Sequence, residues 1–286
     1  MRPHFTKFHG FGNDYIVIES KEVAGIDDLG QFAHKICNRH LGAGADGIAV
    51  VSPADGDIAD FHVRIFNPDG SEAGLSGNGT RCAAAYLHYQ RLWTDEELRL
   101  STRSGVKRYL LCNENKGRYV FDSELGVPQF ASDEIPMVTR TPLETVIDYP
   151  LPVDGDILNV TALRLGNPNC CVLVDDFAKL DWRRLGKATE VHKQFPERTN
   201  VVFIKVLDRE RIELRIWERG VGETTASGTC SCAAAVAAML NGKTDRLVTA
   251  IMPGGQATIG WREDGEVVIT GSAEVVYSGD WLVIED

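Results

Sequence analysis

The 286-residue chain is predicted to be an α+β protein of two pseudo-symmetric domains, each a curved, mostly antiparallel sheet wrapped around a central helix. Three observations predict this. One stretch occurs twice: Phe66, Glu72, Ser76 and Gly77 return, in the same spacing, as Trp217, Glu223, Ser227 and Gly228. Each copy is preceded by an alternating segment, Phe61–Ile65 and Ile212–Ile216, with the period of a strand. Each is followed by small residues, Cys82-Ala83-Ala84-Ala85 and Cys230-Ser231-Cys232-Ala233-Ala234-Ala235, that read as a helix strands can enclose closely. The duplication divides the chain into halves at about 1–124 and 125–286.

From the N-terminus, Phe5–Gly10, a Gly-Asn turn and Asn13–Ile18 read as a hairpin-like opening. Asn13 fits a turn residue equally well. Leu29, Phe32, Ala33 and Ile36 lie on one face of a helix from about Asp28 to Arg39. The glycines of Gly42–Gly47 match G-x-G-x-x-G, but a helix precedes them and a strand, Ile48–Val51, follows. That order is wrong for a dinucleotide fingerprint. A strand from about Asp60 to Phe66 delivers the first duplicated loop, with its helix over about Gly79–Gln90. Strands follow at 98–102, 106–112 and 118–121. The proline-containing segment Val127–Pro152 reads as the linker region and the start of the second half.

The second half repeats the order. Gly166-Asn167 matches the Gly12-Asn13 turn, Trp182–His192 is a short helix, and Val201–Ile204 takes the place of Ile48–Val51. The second loop and its helix run to about Leu240. Short strands close the chain at 247–252, 257–261, 267–270 and 273–277.

Composition narrows the function. Hydrophobic residues make up 43% of the chain and the formal charge is −11, which argues against a nucleic-acid partner. No charged-then-apolar leader and no apolar run of membrane length is seen, so a cytoplasmic protein without a membrane partner is expected. The seven cysteines, an odd number in largely apolar surroundings, read as reduced thiols; none has zinc-ligand spacing. Ser76 and Ser227 sit where the two alanine-rich helices should begin. Both could be simple N-caps. Free N–H groups at a helix N-terminus also seat a carboxylate, and glycines let a ligand approach the backbone. Two such loops in one chain point to a shared site for a small molecule.

At these residues the chain resembles diaminopimelate epimerase, of the cofactor-independent amino-acid racemase superfamily. The motifs are Phe8-His9-Gly10-Phe11-Gly12-Asn13-Asp14, Gly44-Ala45-Asp46-Gly47, Phe66–Glu72, Gly77-Asn78-Gly79-Thr80-Arg81, Gly166-Asn167-Pro168, Arg198-Thr199-Asn200 and Glu218–Thr224. The resemblance spans nearly the whole chain. It implies an active site in an interdomain cleft, no cofactor (PLP-independent chemistry), a last strand that can return to the first domain, and a place in lysine and cell-wall precursor biosynthesis. A homodimer is compatible with it. It also implies two opposed cysteines, a thiolate that removes the Cα proton and a thiol that returns one to the other face. By match, Asn13, Asn67, Asn167, Asn200, Glu218 and Arg219 hold the amino acid, while Gly77, Asn78, Gly228 and Thr229 supply donors to its α-carboxylate.

The chain departs from that pattern at its centre. Ser76 and Ser227 occupy the cysteine positions, and Asn169 stands where the family's Gly-Asn-Pro-His motif ends in histidine. Glu218 alone remains of the groups that assist the pair. A serine hydroxyl is a far weaker acid than a thiol and needs an adjacent base. Cys230, three residues past Ser227, and Cys170, beside Asn169, are further candidates. Three readings follow: epimerisation of an amino acid, by default LL- to meso-diaminopimelate, with Ser76, Ser227, Glu218 and Asn169 as the catalytic group; the same fold with altered chemistry or substrate; or a catalytically impaired amino-acid-binding homologue.

Overall fold

The computed structural model describes residues 2–282. It divides the chain into two compact units, Met1–Ser123 with Gly271–Asp286, and Glu124–Thr270.

The first unit opens on a hairpin, β1 (His4–Gly10) and β2 (Asn13–Glu19). Its turn is Phe11-Gly12, both at positive φ, and Asn13 is already a strand residue opposite Gly10. Asn13 is therefore not the turn residue that its type permits. Helix α1 (Leu29–Ile36) begins at Asp28, whose carboxylate accepts the Gln31 N–H at 2.9 Å. It ends earlier than the expected Arg39, because the chain turns back and the Gly44 N–H caps the Ile36 carbonyl. β3 (Gly47–Pro53) returns parallel to β2, and β4 (Phe61–Phe66) runs antiparallel to β3. The two-residue β5 (Glu72–Ala73) folds back on β4 and leads into α2 (Gly77–Tyr89). β6 (Glu97–Thr102), β7 (Gly105–Asn115) and β8 (Arg118–Gly126) extend the antiparallel sheet.

β2 and β3 are buried on both faces, which accounts for their near-continuous apolar sequence. Tyr15 and Val17 pack on the α2 side with Cys82–Leu87, while Ile16 and Ile18 pack against Phe32 and Ile36 of α1. Residues 82–87 of α2 are essentially sealed from solvent, so alanine is there to let strands approach on every side.

The second unit repeats this plan. β9 (Val146–Val153) and β10 (Asp156–Leu165) form a hairpin, and β11 (Asn167–Leu173) pairs with β10. α3 (Trp182–Glu190), capped by Asp181, precedes β12 (Asn200–Val206), which is parallel to β11. β13 (Arg211–Glu218) and β14 (Gly222–Thr224) deliver α4 (Gly228–Leu240). β15 (Leu247–Met252) and β16 (Gly255–Trp261) follow. The registers of the two units correspond: Ile48 faces Phe66 and Phe66 faces Glu72, as Val201 faces Trp217 and Trp217 faces Glu223. α4 packs on β10, β11 and β12, while α3 covers β12 and β13.

Two expectations need correction. The segment 127–152 is not a linker: Val146–Val153 is β9, and Ile135 and Met137 lie in the core beneath α3. The last two short strands are one, β17 (Val267–Asp280), because the polar Gly271-Ser272 break is absorbed into the ladder. The Arg81 guanidinium packs on Gly271, 2.9 Å from where a Cβ would lie. The chain passes from one unit to the other in β8 and again in β17.

Candidate active site

In the first unit the site grows from the start of α2. Ser76 is its N-cap, with extended backbone, and its Oγ accepts the Gly79 N–H at 3.1 Å. The same hydroxyl donates to the Tyr15 phenol at 2.8 Å. Tyr15 is buried, and burial pushes its pKa up to about 12, so the phenol stays protonated through the neutral range. Asn78, one residue into the helix, bridges two groups: its Nδ2 donates to Asn13 Oδ1 at 3.2 Å, and its Oδ1 accepts from Arg81 at 2.8 Å. Asn13 in turn donates to Asp46 at 2.8 Å.

That carboxylate belongs to a cluster in which Arg39 bonds both Asp14 and Asp46 at 2.7 Å, and Lys7 reaches Asp14 at 2.7 Å. Burial works to raise the Asp14 carboxyl, but hydrogen bonds from Arg39 and Lys7 more than offset it and hold it well below the usual carboxylate range. The cluster fixes the hairpin end that carries Asn13. Asn67 stands apart from this group and donates to Ser71 at 2.9 Å.

In the second unit Ser227 occupies the equivalent N-cap of α4 but makes no side-chain cap bond. Its hydroxyl lies beside the Glu218 carboxylate and favours its charged form, and that carboxylate accepts from Thr224 at 2.8 Å. Burial raises the Glu218 pKa above the ordinary value, and the two hydroxyls partly offset this. Cys230 also reaches Ser227, as its helical spacing allows, but burial drives its thiol well above the ordinary value. Four further residues form a closed set. Asn169 donates to the Asn167 carbonyl at 2.7 Å, Asn200 donates to Asn169 at 3.2 Å, and Arg219 bonds Asn200 through its backbone N–H at 2.9 Å and Asn167 through its guanidinium at 3.1 Å. Asn169 is sealed from solvent and held by amides, so it has neither the chemistry nor the neighbours of a base.

A Cβ added at Gly77 would meet nothing within 4 Å, and one at Gly228 only Ile269 at 3.8 Å. Internal packing does not require these glycines. They leave the first-turn N–H groups of both helices approachable by a ligand backbone or carboxylate.

The sequence profile of the Diaminopimelate epimerase family matches residues 5–130 and 161–276. The chain belongs to the diaminopimelate epimerase family. A relative from Pelotomaculum thermopropionicum, "Diaminopimelate epimerase", is 43% identical over 280 residues, covering 97% of this chain and 98% of the relative. One from Halothermothrix orenii of the same name is 38% identical over the full length of both. Among solved structures, the Bacillus anthracis phenazine biosynthesis protein of the PhzF family superposes with a TM-score of 0.69 at 18% identity, covering 99% of this chain and all of that one; it shows the shared fold.

Within that family frame, the expected residues fall into three groups: Ser76, Asn78 and Asn13; Ser227 and Glu218; and Asn167, Asn169, Asn200 and Arg219. Thr229 is linked to the second group through Cys230. Asp46 and Thr224 lie within the motifs but carry no assigned role there, and Tyr15 lies outside every motif. The signal for Tyr15 was present: matching Gly12-Asn13 to Gly166-Asn167 sets Tyr15 on Asn169, and the parallel ladders place both in the same register, opposite Gly47 and Asn200.

No group of three or more His, Cys, Asp or Glu side chains fit to hold a metal ion occurs among the described residues. No helix among them is long and apolar enough to cross a membrane.

Proposed function

We propose that this chain epimerises an amino acid at Cα without a cofactor, interconverting LL- and meso-diaminopimelate in the cytoplasm with Ser76 and Ser227 as the proton-transfer pair. The observation that carries the reading is the half-buried Glu218 carboxylate, held by Thr224 at 2.8 Å and placed beside the Ser227 hydroxyl. A hydroxyl is a poor base alone, but one hydrogen-bonded to a carboxylate can take a proton while passing its own to that carboxylate. The Cα–H bond breaks, its proton goes to Ser227, and the Ser227 proton goes to Glu218. The carbanion then takes a proton from the Ser76 hydroxyl, which inverts the centre, and once the product leaves, Ser76 regains a proton from water while Glu218 gives one up to it. Burial raises the Glu218 pKa towards the operating pH, which suits a group that must accept and release a proton. Asn13, Asn78, Asn167, Asn200 and Arg219 hold the amino and carboxylate groups, and Asn67 contributes from its loop.

A second reading rests on the other serine. Ser76 has neither a carboxylate nor an imidazole as a hydrogen-bond partner among the described residues, and Asn169 is no base. This favours an amino-acid-binding homologue with little turnover.

Proton NMR in heavy water, with each single stereoisomer of diaminopimelate, separates the two. Loss of the Cα signal with growth of the other stereoisomer supports epimerisation. Thermal stabilisation by diaminopimelate with no exchange supports binding alone.

A further inference from the structure

The two serines are the best-matched pair in the duplicated loops, yet their partners differ. Ser227 has a carboxylate. Ser76 has a phenol, and that phenol is built in. A Cβ at Gly47 would come within 2.7 Å of Tyr15 Cε1, and one at Gly79 within 2.9 Å of the same atom. Neither glycine has a positive φ, so backbone conformation does not require it. Both positions make room for the Tyr15 ring, and at Gly47 the Phe66 carbonyl is equally close, at 2.7 Å. The ring is wedged between the β3 backbone and α2 with its hydroxyl 2.8 Å from Ser76 Oγ. The second unit has no counterpart: Asn169 holds the equivalent register position and turns to Asn167 and Asn200.

We propose that Tyr15 is the positioning residue for Ser76: it orients the hydroxyl in the resting site and, when Ser76 gives up its proton, turns its own O–H to hydrogen-bond the oxygen left behind. This rests on the proposed epimerisation, whose first-unit half it completes. The phenol exchanges the role of acceptor for that of donor, which a hydroxyl can do by rotation, and because a serine oxygen anion is more basic than a phenolate the phenol proton moves onto Ser76 as the transfer completes, leaving the charge on Tyr15 until a proton from water replaces it. A donor to a developing oxyanion is worth far more than a donor to a neutral hydroxyl, because charge-assisted bonds are the stronger class. Burial, which keeps the phenol protonated, preserves that donor across the working pH range.

The test uses the full chain and two readouts. Y15F keeps the ring between the two glycines and removes only the hydroxyl. Its kcat is expected to fall about ten-fold or more with KM for diaminopimelate little changed, since the contribution is made as charge develops. The second readout needs no turnover. S76C places a titratable thiol beside the phenol, and its rate of alkylation by iodoacetamide against pH, followed by mass spectrometry of its peptide, gives the thiol pKa. Loss of a donor to the thiolate in S76C/Y15F should raise that pKa by roughly one unit relative to S76C. A pKa unchanged between S76C and S76C/Y15F would overturn the role of Tyr15, whatever the kinetics. If the parent protein exchanges no Cα proton, epimerisation fails as a reading, and the thiol titration still decides whether Tyr15 acts on this position.

Discussion

Replacing Glu218 by glutamine separates the chemistry of the site from its stability, because the two should move in opposite directions. Glutamine keeps the shape and can still accept from Thr224, now 2.8 Å from the carboxylate, but it cannot take the Ser227 proton. General-base assistance is typically worth 10²–10⁴-fold, so E218Q should lower kcat/KM by that factor, about 3–5 kcal/mol of barrier. Both directions of the reaction should fall equally, since the equilibrium between stereoisomers is untouched. Stability should rise. Burial raises the folded-state pKa of Glu218, so the native protein binds this proton more tightly than the unfolded chain does. Its contribution to stability is then fully present below the unfolded carboxylate value and is lost as pH rises through the folded one. At pH 7 the parent bears that cost and E218Q does not. Thermal melts should therefore place E218Q above the parent at pH 7, with the gap closing at about pH 4 and below, where both side chains are neutral. The kinetic measurement is Cα proton loss by NMR in heavy water. An E218Q protein that turns over within about three-fold of the parent would show that Ser227 draws on some other base, and the assignment of this carboxylate would be wrong.

Other outcomes follow from the same contacts. Asp14 is held below the usual carboxylate range, so its contribution to stability is present above that range and lost as pH falls through the folded value. D14N leaves Lys7 and Arg39 short of an acceptor and should cost about 3 kcal/mol in urea denaturation at pH 7, a difference that shrinks below about pH 4; equal stability at pH 7 would refute the cluster's role. Of the seven cysteines only Cys112 is exposed, and burial pushes the Cys82 thiol up to about 12 and raises those of Cys170, Cys171 and Cys230 well above the ordinary value. Iodoacetamide at pH 8 should therefore modify Cys112 alone and leave turnover unchanged; inactivation that tracks modification of Cys230 or Cys170 would assign the chemistry to a thiol. N78A removes the bridge between Asn13 and Arg81, so it should weaken diaminopimelate binding in calorimetry about ten-fold and also cost about 1–3 kcal/mol of stability. Unchanged affinity would count against α2 as part of the binding site.

How much of this was legible in the sequence depends on whether a residue acts alone or through a neighbour. The duplication placed Ser76 and Ser227 correctly at two helix starts, since a loop between a strand and an alanine-rich helix can lead almost nowhere else. Alternation identified most of the strands. It failed at Gly271, where a polar-looking gap is an unbroken strand because Arg81, nearly two hundred residues away in sequence, packs on that glycine. Proline content misled over 127–152 because the two prolines of β9 lie within a paired strand of the second unit, not in a connection. The serines show the deeper limit. Their identical positions in the repeat suggest identical roles, and the N-cap reading fits both by residue type. Only the three-dimensional neighbours separate them: Ser76 caps Gly79 and leans on a protonated phenol, while Ser227 makes no cap bond and lies beside the Glu218 carboxylate. Those neighbours come from β2 in one unit and from the end of β13 in the other, so no local motif could report them together. The loss of both cysteines and of the motif histidine therefore does not strip the site evenly. On the proposed reading Glu218 is the base on one side and Tyr15 a fixed hydrogen-bond partner on the other, an asymmetry that a proton-transfer pair can use and that a purely structural pair of N-caps would have no reason to keep.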